Sequence, residues 1–216
     1  DDGGITPSVG TVTTVLASLT SMTVMVLIRQ RGGDFVYSPA EVDAMVADIT
    51  AIRSLPRADG VIVGFVIGAL TADGTIDEAA TTALLAACEE HPVTFHKAFD
   101  LTVDQPKALE TLIELGVARV LTSGGAATVL DGQAELTALV TQAGERMTIL
   151  AGGGVRSHNA REILATTGVT ELHFRAPATV PSHGFQGGAS ALYDSGTRTV
   201  TSAALVREMR AVVDAS

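Results

Sequence analysis

The sequence predicts an α/β fold, a TIM-type (β/α)8 barrel, on three observations. Short aliphatic runs alternate with longer amphipathic ones along all 216 residues, as βαβ units on a parallel sheet require. Glycines and charges recur after nearly every predicted strand, as RQRGGD, TADG, HKAFD, TSGG and AGGGVR. A barrel assembles its site from all its βα loops, whereas an open doubly wound sheet carries its phosphate-binding glycines after the first strand. Hydrophobic residues make up 46% of the chain and aromatic ones 4%, with no Trp. One core of Ala, Val, Leu and Ile, and one domain over residues 1–216, is the expectation.

The elements follow in order. Residues 9–19 read as a surface helix and 24–28 (VMVLI) as a buried strand. The uncharged stretch 11–28 is about as long as a membrane span, but its many Ser and Thr residues favour helix plus strand. Ser38-Pro39-Ala40-Glu41 opens a helix, with Ser as N-cap, Pro in the first turn and Glu at the positive end. Strand 61–66 (VIVGFV) precedes a helix over 77–90. Strand 93–96 precedes a helix over 104–115, closed by Gly116 in the left-handed conformation. Strand 119–122 leads to a helix over 133–143, strand 147–150 to a helix over 157–165, and strand 171–174 comes before a last helix over 201–213. Residues 181–196 form the longest irregular stretch, expected to be a functional or mobile loop.

About six strands result, two short of a closed barrel, and the chain opens on a helix that should follow a strand. The expectation is a barrel incomplete at its N-terminus, lacking the first strand–helix–strand. Asp1-Asp2-Gly3-Gly4 has no Met and no basic segment, so it reads as a start inside a loop rather than a signal peptide. Lys+Arg 14 against Asp+Glu 24 gives a net charge of −10, which opposes nucleic-acid binding. A single cysteine excludes an intrachain disulfide and a cysteine-rich zinc cluster.

Five motifs in register carry a resemblance: GGITPS at 3–8, RQRGGDF at 29–35, VTFHKAFD at 93–100, LTSGG at 121–125 and AGGGV at 151–155. In order and spacing they resemble the CutC copper homeostasis proteins, from Gly3 to the last helix. The resemblance implies a (β/α)8 barrel, a cytoplasmic location and copper(I) binding. The family commonly has Pro where this chain has Gln30, and Arg where it has Lys97. The cysteines proposed as copper ligands in some members lie in the strands that precede the GGITPS loop, so copper is implied by resemblance alone.

Alternation along barrel strands selects the candidate site. Thr94 and His96 turn inward if Val93 and Phe95 face the helices. Glu171, His173 and Arg175 turn inward on the last strand, and Arg119, Leu121 and Ser123 share a face, as do Met25, Leu27 and Arg29. Lys97, a Schiff-base candidate by chemistry, points to the helices by the same rule. Glu171 reads as an ion-pair partner for an arginine in the lower lumen, and Cys88 as a buried thiol in an apolar helix. His91, His158 and His183 read as surface or loop residues. The catalytic candidates are His96, Arg29 and Asp100. The ligand-binding candidates are Arg31, Asp34, Ser123, Gly124, Gly152, Gly153, Gly154 and His173, with glycine N–H groups open to an anion. No metal ligand is expected within the chain.

Two functions remain open: a cytosolic CutC-type protein of copper homeostasis, or a barrel enzyme acting on a small anionic or phosphorylated metabolite. Expected partners are a small anion and, as a possibility of the fold, a second copy of the chain, with neither nucleic acid nor membrane.

Overall fold

A computed structural model describes residues 3–184 and 194–214. The part of the 181–196 stretch between these segments lies outside the described residues. Six strands form one wholly parallel sheet in the order of the chain: β1 (Ser21–Leu27), β2 (Gly60–Ile67), β3 (Val93–Phe95), β4 (Arg119–Thr122), β5 (Thr148–Gly152) and β6 (Glu171–His173). A doubly wound sheet reverses its strand order at a switch point. This one never reverses, so the sheet winds in one direction as an arc of a TIM-type barrel.

The helices connect strands as barrel helices do. They are α1 (Val9–Ala17), α2 (Pro39–Arg53), α3 (Glu78–Cys88), α4 (Gln105–Glu114), α5 (Gln133–Ala143) and α6 (Ala160–Thr167), with α7 (Ala203–Val213) at the end. Their starts are chemically marked. Ser38 and Glu41 form a reciprocal capping box with Pro39 in the first turn of α2. Asp77 accepts from Ala80 N at 2.9 Å and Asp104 from Lys107 N at 3.0 Å. Gly116 follows α4 at φ 82°, a conformation that costs an L side chain.

Two elements differ from the expectation. Phe95 ends β3, and Lys97–Leu101 forms a 3-10 helix capped by His96. Beyond β6, Pro177–Pro181 (β7) pairs antiparallel with Thr197–Thr201 (β8). Proline tolerates the end of such a two-stranded ribbon because one side of it carries no ladder bond. Thr, Pro and Arg in these runs give no aliphatic signal, so the hairpin was not visible as strands.

The apolar core lies between the outer face of the sheet and the helices. One cluster packs Val63, Phe65 and Ile67 of β2 against Met45, Ile49, Leu84 and Cys88 of α2 and α3; a second gathers Phe95, Phe99, Leu109, Val120 and Leu136. No described helix is long and apolar enough to cross a membrane. The uncharged stretch near the start is α1 plus β1.

Phe65 is fully buried while Ile62, on the opposite face of the same strand, is 51% exposed. Phe65→Ala should cost about 3–5 kcal/mol of unfolding free energy in a urea titration, and Ile62→Ala no more than about 0.5 kcal/mol. Equal losses would mean that the inner face carries the core. Two carboxylates make acid a second probe. Hydrogen bonds from Ser38 and Arg31 hold Glu41 at about 2, and those from Arg146 and Gln142 hold Glu110 at about 2, against 4.5 ordinarily. A depressed carboxylate stabilises the fold fully above its unfolded value and loses that stabilisation as pH falls through its folded one. Melting temperature should therefore drop between pH 4.5 and 2, and the drop should shrink in Glu110→Gln.

Candidate functional site

In a parallel barrel every strand ends on one rim. There the inner face opens on a cavity of about 660 Å³ whose wall includes Met25, Leu27, Thr94, His96, Lys97, Leu121 and His173. The register explains the wall. Leu27 lies beside Val66, Val66 beside Thr94, Thr94 beside Arg119, Leu121 beside Leu150, and Gly152 beside His173, so each row of neighbours shares the inner face.

Lys97 is where alternation fails. The strand has ended, and the 3-10 turn swings the side chain onto the rim instead of into the helix layer. Its Nζ donates to Asp100 Oδ2, to Ser123 Oγ and, at 3.3 Å, to the Gly152 carbonyl. Asp100, three residues on, also accepts from Thr122 Oγ1, from Ser123 N at 3.2 Å and from Gly125 N at 3.0 Å. Ser123 Oγ donates onward to the Ala126 carbonyl at 2.7 Å. One ammonium and one carboxylate thus tie together the ends of β3, β4 and β5. The carboxylate is 9% exposed and the lysine 42%. All three donors of the ammonium thus face acceptors.

The glycines make room for this cluster. Gly153 has φ 131°, and a Cβ there would stand 3.1 Å from the Ser123 Cβ and 3.6 Å from Lys97 Nζ. Its carbonyl accepts from Val129 N at 2.9 Å. Gly154, at φ 74°, faces Thr128 and takes the Asn159 amide on its carbonyl at 3.0 Å. Gly124, at φ 71°, makes the turn against Gly132.

His96 is 6% exposed. Its Nδ1 accepts from Ala98 N at 3.2 Å, which leaves the ring proton on Nε2, a buried atom with no hydrogen-bond partner. Burial and, next, the Arg29 charge push its pKa down to about 4, so the ring is neutral at pH 7. Phe35 lies 4.8 Å from the imidazole, centroid to centroid, and the Arg29 guanidinium lies 4.9 Å over Phe35. His173 also lines the cavity and makes no hydrogen bond among the described residues. Partial burial and the Lys97 charge lower its pKa from 6.5.

The sequence candidates divide accordingly. Asp100, Ser123, Gly152 and Gly153 gather around Lys97, with His96 and His173 on the wall. Arg29 does not line the cavity. It is 7% exposed, bonds the Gly4 and Gly33 carbonyls at 3.1 and 2.8 Å, and so staples two loops. Arg31 and Asp34 stay on the surface. Arg31 bonds Glu41 at 2.6 Å and Asp34 at 3.1 Å, because the capping carboxylate of α2 is its nearest strong acceptor. Glu171 pairs with Arg119 as expected, Nε to Oε2 at 2.6 Å and Nη2 to Oε1 at 3.0 Å. Arg175 borders the hairpin groove. His91 is half-buried rather than a surface residue, its Nδ1 2.8 Å from the Val63 carbonyl. Lys97 is the residue that alternation misplaced. The signal available was an acid three residues after a lysine, directly after a short strand.

Copper(I) favours thiolate and thioether donors. Cys88 is fully buried, and burial pushes its thiol up to about 12. The Met25 sulfur is laid against Gly64 of the neighbouring strand. Among the described residues no three His, Cys, Asp or Glu side chains converge as metal ligands. The donor set does not fit a copper(I) centre.

A family model described as CutC family matches residues 1–178, short of the last helix to which the motifs extended the resemblance. A CutC family protein of Bacteroides thetaiotaomicron is 47% identical over 84% of this chain and 71% of its own length. The human copper homeostasis protein cutC homolog is 44% identical over 82% of this chain and 63% of its own. A CutC family protein of Chromobacterium violaceum is 41% identical over 99% of this chain and 86% of its own. This chain therefore spans 63–86% of the length of these relatives. A crystal structure of a CutC protein from Streptococcus agalactiae superimposes with TM-score 0.73 at 36% identity, over 80% of this chain and 82% of that one. An aldolase, QR15, shares the fold at TM-score 0.55 and 19% identity, over 76% of this chain and 73% of its own.

The rim cluster has a measurable asymmetry. Asp100→Ala leaves several inward donors without an acceptor and should cost about 3 kcal/mol in denaturant titration. Lys97→Met removes a half-exposed charge from a carboxylate that keeps its other donors, and should cost under about 1 kcal/mol. The reverse order would show that the lysine, not the carboxylate, organises the rim.

Proposed function

This chain belongs to the CutC family, and from that premise we propose that it serves copper homeostasis, the role in the names of its relatives, by binding a small anion in the mouth of its barrel arc. The observation that carries this reading is the half-exposed Lys97 ammonium on the wall of an open cavity. Its bond to the Gly152 carbonyl, at 3.3 Å, is long enough for a ligand oxygen to compete for that proton. His173 stands on the same wall. The cytoplasmic location implied by the family resemblance belongs to the same proposal.

A second reading, an enzyme acting on the bound anion, is favoured by one feature. The His173 imidazole lies below its ordinary pKa, is mostly neutral at pH 7, and can accept a proton. His96 cannot share that task near neutrality, since its Nδ1 is engaged and its pKa is about 4. It is suited instead to donate a hydrogen bond through Nε2.

Calorimetry with acetate and with inorganic phosphate tests the site. Binding should weaken at least tenfold in Lys97→Met and strengthen in acid, as His173 gains its charge at a pH below its ordinary 6.5. Unchanged binding in a folded Lys97→Met would contradict the assignment. In a chelator competition, copper(I) should show no stoichiometric submicromolar binding to these 216 residues. Tight binding that disappears in Cys88→Ser would overturn the donor argument.

A further inference from the structure

The cavity is chemically graded from floor to mouth, and the gradient selects a ligand. At the floor, Arg119 and Glu171 open β4 and β6 and form an ion pair, with one hydrogen bond from Nη2 to Oε1 at 3.0 Å. Glu171 itself lines the cavity and repels an anion beside Arg119, whereas Asp100, the partner of Lys97, is not on the cavity wall. Along the wall, Met25, Leu27 and Val66 on β1 and β2, and Leu121 and Leu150 on β4 and β5, present apolar surface on either side of Thr94. It follows the register, with Leu27 beside Val66 and Leu121 beside Leu150. Thr23 and Thr94 are the hydroxyls among the wall residues. At the mouth stand Lys97, His173 and the buried edge of His96.

We infer that the mouth takes a monocarboxylate with an apolar body, its carboxylate against Lys97 and His173 and its hydrocarbon laid down the inner wall. This rests on the anion reading above and narrows it to a ligand class. A sugar phosphate would bury several hydroxyls against aliphatic side chains without partners, which is costly. A hydrocarbon body gains from the same wall. The carboxylate carries the single charge that the rim cation can meet by a charge-assisted hydrogen bond.

The full chain is titrated calorimetrically with acetate, hexanoate, 1-hexanol and glucose 6-phosphate. Hexanoate should bind at least tenfold more tightly than acetate, and more tightly than hexanol or glucose 6-phosphate. Val66→Thr, which keeps the side-chain shape, should weaken hexanoate several-fold while leaving acetate unchanged. Lys97→Met, checked for fold by near-UV circular dichroism, should weaken hexanoate at least tenfold and leave hexanol unchanged. Hexanoate no tighter than acetate, or glucose 6-phosphate tighter than hexanoate, overturns the ligand class while the anion site stands. Hexanol equal to hexanoate overturns the role of the carboxylate. If none of the four binds, both the ligand class and the anion site are wrong.

Discussion

Three parallel strands end within reach of one charge pair, and the rim depends on it. Lys97 and Asp100 leave the end of β3 on a single 3-10 turn and collect polar groups from Thr122, Ser123, Gly125 and Gly152. Backbone donors at strand ends lie beyond the ladder and must find acceptors elsewhere. Asp100 provides that acceptor for two of them. A carboxylate so enclosed would be costly alone, and the adjacent ammonium together with the inward N–H groups offsets the cost. The glycines at 152–154 are part of the same constraint, since a side chain at 153 would press on Ser123.

The pair also explains why the inner face can remain apolar. Charges on this face are gathered at its two ends, Arg119 with Glu171 at the start of the strands and Lys97 with Asp100 at their finish. Between them the wall is mostly aliphatic, broken by Thr94, while the outer face carries the packed core against the helices. The packed core and the open cavity thus occupy opposite sides of one sheet. A barrel fold separates them in this way because alternate residues of each strand face opposite layers.

Much of this was legible in the sequence. The aliphatic runs located all six parallel strands, and alternation placed Thr94, His96, Glu171 and His173 on the inner wall. An arginine partner for Glu171 follows from the same rule, and the buried Cys88 from the apolar run of its helix. Alternation failed where its premise failed. Lys97 stands one residue past the strand, where a 3-10 turn has replaced the two-residue period. Arg29 does continue from the Met25–Leu27 face, but the loop at residues 3–6 folds over it and takes its donors. Arg31 was drawn to the carboxylate of a helix cap and holds Asp34 beside it, a competition between acceptors that spacing does not display. The β7–β8 hairpin has no aliphatic run and lies almost wholly beyond the residues that the family model matches.

The central claim is that Asp100 holds the loop after β4 to the loop after β3. Amide hydrogen exchange, followed by NMR on the unmodified chain, reads this directly at Ser123 and Gly125, whose N–H groups donate to the carboxylate. Gly125 is exposed, so burial alone would not shield it. Both amides should exchange far more slowly than the unfolded chain. Exchange of Gly125 at the unfolded-chain rate at neutral pH would contradict the account.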